Sequence, residues 1–163
     1  MRRAIGLTAM IVTTLAWPAA AQQVAFGERH DATQPVEITA DRLDLDQAAG
    51  SAVFTGGVRV GQGELRLAAD RVEVFYDEGG QASGTVRRMN ATGNVTLSNG
   101  TEAAEAQAAA YEVATGIVEM QGEVLLTQGR NALSSERLRI DLNAGTGQLE
   151  GRVRTIFTPG STP

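Results

Sequence analysis

The sequence predicts an all-β protein built from repeated antiparallel strands, and three observations carry that prediction. Apolar and polar residues alternate with a period of two in run after run, two short motifs recur in turn, and glycine-bearing clusters punctuate the runs. Period-two alternation marks a strand with one dry face and one wet face. Such strands belong to antiparallel meanders and sandwiches more than to buried parallel sheets.

The first segment reads as an address. Met1-Arg2-Arg3 is basic, Ala4 to Trp17 is mostly apolar, and Pro18-Ala19-Ala20-Ala21 offers a small-residue cleavage site before Gln22. These are the parts of a secretory signal, and the apolar run falls short of the about 20 residues of an ordinary membrane span. Cleavage after Ala21 would leave 163 − 21 = 142 residues with a charge of 12 − 19 = −7. The expected organisation is a cleavable signal over 1–21, one β domain over 22–157 and a disordered tail over 158–163. An uncleaved anchor is the alternative. Export without any cysteine suggests a bacterial periplasm rather than a disulfide-stapled secreted domain.

Beyond the signal the alternation runs from end to end. Val36 and Ile38 alternate with Glu37 and Thr39; Leu43 and Leu45 alternate with Asp44 and Asp46. Val58 and Val60 flank Arg59, Leu65 and Leu67 flank Arg66, and Val72 and Val74 flank Glu73. Val95 and Leu97, Val118 and Met120, and Leu138, Ile140 and Leu142 continue the pattern. Between Ile38 and Leu43 the apolar parity switches, which would turn every later side chain to the wrong face unless a bulge or corner near Ala40-Asp41-Arg42 absorbs it. Gly61-Gln62-Gly63, Asp77-Glu78-Gly79-Gly80, Asn99-Gly100 and Ala144-Gly145-Thr146-Gly147 supply turns, Asn99-Gly100 being the best hairpin signal. Glu102 to Ala110 (EAAEAQAAA) has strong helix propensity. It occupies the place of a strand in the other units and is assigned as one, a short helix being the alternative.

The alternation is organised into a repeat. Gly-x-Val occurs at Gly56-Gly57-Val58, Gly93-Asn94-Val95, Gly122-Glu123-Val124 and Gly151-Arg152-Val153. A second motif alternates with it: Asp41-Arg42-Leu43-Asp44-Leu45, Asp70-Arg71-Val72-Glu73-Val74, a weakened Ala109-Ala110-Tyr111-Glu112-Val113, and Glu136-Arg137-Leu138-Arg139-Ile140. From its first apolar residue to the next glycine is 13, 21, 11 and 13 residues, the long interval holding an insertion near Asp77–Gly84. A recurring unit of roughly 29 residues points to stacked supersecondary units. Its inward residues are Val, Leu, Ile and Ala, which make a slim core, either fully packed or held open as a groove for apolar ligands.

Composition narrows the function. The net charge of −5, with every cation an arginine, argues against nucleic acid. The absence of cysteine removes thiolate metal sites and a Cys nucleophile, and a single histidine removes any site needing two imidazoles. His30 sits among Glu28, Arg29 and Asp31 with no Ser or Cys motif near it, and reads as solvent-exposed. Asp41, Asp44 and Asp46 are acidic enough for a metal, yet they lack the glycine and bidentate glutamate of a calcium loop and read as a solvated edge. Arg42, Arg66 and Arg71 could grip phosphates, but scattered arginines on a wet sheet face are commoner. Glycan hydrolysis would need a carboxylate pair in a cleft rich in aromatics, which this chain can hardly supply. The Asn-x-Thr triplets at Asn90, Asn94 and Asn99 read as turn composition. No metal, cofactor or nucleotide motif is found, so no enzymatic activity is expected.

The run from Gln34 through Asp41-Arg42-Leu43-Asp44-Leu45, then Ala52-Val53-Phe54-Thr55-Gly56-Gly57-Val58, then Gln62 through Asp70-Arg71-Val72-Glu73-Val74 resembles the OstA-like domain of the lipopolysaccharide-transport (Lpt) proteins. The resemblance spans roughly 34–157, most specifically in the first two units. A cleavable signal and the absence of a barrel favour the LptA type over the anchored LptC type and the much longer LptD type. The resemblance implies an antiparallel β-jelly-roll, V-shaped and open-ended, that holds the acyl chains of lipopolysaccharide inside and leaves the sugars outside. It implies head-to-tail self-association, an LptC-like inner-membrane partner at the N-terminal edge and an LptD-like outer-membrane partner at the C-terminal edge. On this reading Ile38, Leu45, Val58, Val60, Leu67, Val74, Tyr76, Val95, Leu97, Val113, Met120 and Leu126 face inward and contact acyl chains. Val36 and Ile38 mark one partner edge, and Val153, Ile156 and Phe157 the other. An edge-pairing adaptor without lipid is the alternative. Ala108-Ala109-Ala110 departs from the Asp-Arg of the other units, leaving that region thinner or locally irregular.

Overall fold

A computed structural model describes residues 22–27, 30–78 and 84–159. The expected signal segment over 1–21, Glu28 and Arg29, the middle of the insertion, and 160–163 lie outside the described residues. The strands are β1 (Gln22–Ala25), β2 (Glu37–Thr39), β3 (Arg42–Asp46), β4 (Ser51–Gln62), β5 (Leu65–Tyr76), β6 (Val86–Asn99), β7 (Glu102–Glu112), β8 (Ile117–Gln128), β9 (Asn131–Asp141), β10 (Thr146–Glu150) and β11 (Arg154–Ile156). They form one 11-stranded sheet in the order β1-β10-β9-β8-β7-β6-β5-β4-β2, with β3 also on β4 and β11 also on β9. Every pairing is antiparallel. The Glu102–Ala110 stretch is strand after all: its small residues at Ala104, Ala106 and Ala109 face the core, so tertiary burial overrides local helix propensity.

From β4 to β9 the strands form a meander joined largely by tight turns. Gly63, Gly100 and Gly129 open two-residue loops with φ of 56°, 67° and 57°, the sign a hairpin of this length needs at its first loop position. The Asn99-Gly100 hairpin lies where the sequence places it, with Asn99 paired to Glu102.

The two sequence motifs prove to be halves of one corner. In each Gly-x-Val unit two successive residues are left-handed: Gly56 and Gly57 at 82° and 51°, Gly93 and Asn94 at 78° and 46°, Gly122 and Glu123 at 84° and 50°, Gly151 and Arg152 at 78° and 41°. The pairing register slips at the first three of these places. The side chain leading the second motif lies over each glycine, so that a Cβ there would meet Asp41, Asp70, Gln107 and Glu136 at 2.5, 2.4, 2.9 and 2.6 Å. This corrects the reading of the weakened unit. Its acid position is Gln107, two residues earlier than the alignment on Ala109-Ala110-Tyr111 implies, so the interval from first apolar residue to glycine is 122 − 109 = 13, as in the first and last units. The parity break at Ala40-Asp41 is the first corner, where Asp41 N–H donates to the Gly56 carbonyl at 3.0 Å.

One face of the whole sheet is apolar. On one side of the corners a ladder runs from Leu45 through Ala52, Val74, Met89, Tyr111, Val118 and Ile140 to Gly147 and Val24. On the other side it runs from Ile38 through Val60, Leu67, Leu97, Ala104 and Leu126 to Leu133. Apart from Leu45, Ala52 and Gly147, the residues of both ladders belong to or pack against a single hydrophobic cluster, as an antiparallel sheet rolled on its apolar face requires. The fold is therefore all-β and jelly-roll-like. It is one curled sheet rather than two separate ones.

Candidate functional site

The interior lining is the first candidate. Val58, Val60, Leu67, Val74, Val95, Leu97, Met120 and Leu126 are buried, while Ile38, Tyr76 and Val113 are half-buried against them. Leu45 departs from the expectation of an inward, covered position: it is 53% exposed, as is Leu43 at 47%. Its register partner is the buried Ala52, so Leu45 shares the apolar face, but β3 has a neighbour only on its β4 side.

The interior is close-packed. Between Val60, Leu65, Leu67, Leu97, Tyr111 and Val118 the remaining cavity is about 10 Å³, at the lower limit for one water. A wider depression, about 550 Å³, lies instead on the wet face over Ala108 and Ala110, rimmed by Arg88, Arg137 and Arg139. There Arg88 pairs with Glu112 at 2.7 Å and Arg139 with Glu119 at 2.5 Å. The trough follows from the short side chains of Ala108 and Ala110, which stand where the other units carry Arg42 and Asp44, Arg71 and Glu73, or Arg137 and Arg139, while the strand itself runs on unbroken.

The expected solvent exposure of His30 is overturned. The ring is buried, with Nε2 3.0 Å from Gln62 Oε1 and 3.2 Å from the Tyr111 hydroxyl. Tyr111 donates to Gln62 Oε1 at 3.1 Å, and Gln62 Nε2 donates to the carbonyls of Ala32 and Gln34 at 2.9 and 3.0 Å. Burial pushes the Tyr111 phenol up to about 12. The sequence around His30 is polar and without period, so nothing local signals this contact. β1 pairs with β10 whereas β2 pairs with β4, and residues 30–36 lie between those two ends of the sheet. Phe26, another residue the alternation did not single out, is fully buried on the way. Next to His30, hydrogen bonds from the Thr33 hydroxyl and amide and from Gln34 hold the Asp31 carboxyl below its ordinary value.

The acidic and basic candidates stay on the surface. Asp41, Asp44 and Asp46 are exposed, and Arg42 donates to Asp44 at 2.7 and 2.6 Å, lowering its carboxyl. Arg66 caps its own turn by donating to the Gly63 carbonyl, and Arg71 lies 3.5 Å from Glu73. Among the described residues no cluster of three His, Asp or Glu side chains is placed to hold a metal ion.

The sheet edges are the second candidate. β2 and β3 end the sheet on one side, with Val36 and Ile38 half-buried and Leu43 and Leu45 exposed. On the other side β11 covers half of β9 and β1 covers β10. There Val153, Ile156 and Phe157 are 37%, 53% and 70% exposed.

An apolar face rolled inward between two unpaired edges is matched by a known family. The family model described as LptA/(LptD N-terminal domain) LPS transport protein covers residues 37–146. The chain belongs to this family. It is 28% identical over 164 residues to an uncharacterized protein of Rhizobium meliloti, covering 96% of this chain and 88% of that protein. It is 30% identical over 122 residues to the lipopolysaccharide export system protein LptA of Escherichia coli K12, covering 73% of this chain and 66% of that one. The crystal structure of LptH, described as the LptA-homologous periplasmic component of the lipopolysaccharide transport device of Pseudomonas aeruginosa, superposes with a TM-score of 0.70 at 20% identity. That match covers 80% of this chain and 99% of LptH and bears on the fold. The family match falls on the meander from β2 to the start of β10, which carries the first three corners and the apolar ladders as far as Ile140 and Leu133.

Proposed function

We propose that this Lpt-family chain is a non-enzymatic periplasmic carrier that binds the acyl chains of lipopolysaccharide in its interior and passes the lipid from the inner to the outer membrane. The observation that carries the reading is the unbroken apolar face crossing the sheet from Leu45 and Ile38 to Val24 and Leu133. Each acyl methylene buried there contributes about 0.8 kcal/mol, so several suffice for binding without any polar anchor. Ile38, Leu45, Val58, Val60, Leu67, Val74, Tyr76, Val95, Leu97, Val113, Met120 and Leu126 are the proposed contacts. The edges at β2–β3 and β11 offer unpaired backbone and exposed apolar side chains, which support strand pairing with another chain. We assign the first to an LptC-like partner, the second to an LptD-like partner, and both to head-to-tail self-association.

The close packing of the interior favours one rival, an edge-pairing adaptor that carries no lipid. Photo-crosslinkers at Ile38, Tyr76 and Val113, which are half-buried and tolerate substitution better than the sealed core, separate the two. In cells these positions should capture lipopolysaccharide, whereas a crosslinker at the wet-face residue Arg59 should not. Capture at Arg59 alone, or nowhere, would sink the carrier.

A further inference from the structure

We infer that residues 30–34 form a displaceable strap over the interior, and that Gln62 and Tyr111 beneath it receive the ester or amide carbonyl of an acylated ligand when the strap leaves. The inference rests on the interior being a lipid site and adds the polar group that would register the lipid there.

Gln62 ends β4 and Tyr111 lies in β7, both 3% exposed, and both line the residual cavity with Val60, Leu67, Leu97 and Val118. Buried polar groups of this kind are destabilising when left unpaired. Among the described residues their side-chain bonds run to each other and to the strap: His30, the Ala32 carbonyl and the Gln34 carbonyl. The strap itself belongs to no strand pairing. It is held by these bonds and by His30 N–H donating to the Leu142 carbonyl at 3.0 Å. It is thus a piece of the roll's wall not held by a ladder.

A ligand that displaces it must satisfy the same groups. Gln62 Nε2 donates to two backbone carbonyls, and a fatty acyl ester or amide presents the same acceptor one bond from its tail. The carbonyl takes the place of Ala32 O or Gln34 O, and the tail extends over Val60 and Leu67. An alkyl ether has the tail without the carbonyl.

The test uses the full mature chain and two fluorescent amphiphiles of equal chain length and headgroup, one amide-linked and one ether-linked. The wild type should prefer the amide by roughly two- to tenfold, the range of one neutral hydrogen bond. Gln62→Leu should lose that preference, and Tyr111→Phe, which keeps the ring, should reduce it and serves if Gln62→Leu does not fold. His30→Ala, which removes the strap's side-chain bonds to Gln62 and Tyr111, should bind both probes more tightly and speed amide exchange over 30–34. Equal binding of the two probes by wild type, a preference retained in Gln62→Leu, or weaker binding by His30→Ala would each overturn the inference. If wild type binds neither probe, the carrier reading falls with it.

Discussion

Replacing Gly93 by alanine tests the corner that joins the two repeated motifs. At a φ of 78° an L side chain is strained, at about 1–2 kcal/mol. The new methyl would lie 2.4 Å from Asp70 Oδ2 and 3.0 Å from Asp70 Cβ. Asp70 must therefore swing away, breaking the 2.8 Å bond from Asn94 Nδ2, an exposed interaction worth about 1 kcal/mol or less. The expected destabilisation is about 2–3 kcal/mol, read as a lower urea midpoint with unchanged slope. Adding Asp70→Ala should remove the collision, so the double variant should be more stable than Gly93→Ala alone even though two native groups are gone. Gly122→Ala should cost at least as much as Gly93→Ala, because its methyl would meet Gln107 Cβ at 2.9 Å, an atom fixed to the backbone that cannot swing away. A Gly93→Ala midpoint within error of wild type, or a double variant no better than the single, would refute the corner as a steric device.

Three further outcomes follow from particular residues. Tyr111 has a folded pKa raised to about 12 against 10 unfolded, so its contribution is complete below pH 10 and falls by about 1.4 kcal/mol per unit as pH rises towards 12. Denaturant midpoints of wild type should drop across that window more steeply than those of Tyr111→Phe, and parallel curves would disprove the raised phenol. Leu126→Ala, in a fully buried site, should cost about 2–5 kcal/mol, whereas Leu45→Ala, half exposed at the edge, should change the midpoint by less than about 1 kcal/mol. Charged replacements at Ile156 and Phe157, both exposed, should leave the monomer's stability unchanged and abolish concentration-dependent assembly in sedimentation; unaltered assembly would remove β11 as an interface.

The strands, their inward residues and the first corner were legible because each depends on near neighbours. Alternation sets which side chains share a face, the recurring Gly-x-Val marks where the chain turns left-handed, and a parity break demands a corner. These local rules recovered the inward position of Val58, Leu97, Met120 and Leu126. They also recovered the break at Ala40-Asp41. Contacts between residues far apart in the chain were not available to them. Gln107 takes the acid position of its unit because it lies over Gly122 across the β7–β8 corner, a pairing that alanine-rich sequence hides. Leu45 has the right parity, yet it is exposed because its strand has a neighbour on one side only. His30 is buried because β1 pairs with β10 while β2 pairs with β4, which draws the intervening chain across the roll onto Gln62 and Tyr111. Side-chain period follows from the geometry of successive residues, whereas edges, closure and the partners of isolated polar groups depend on which distant strands meet.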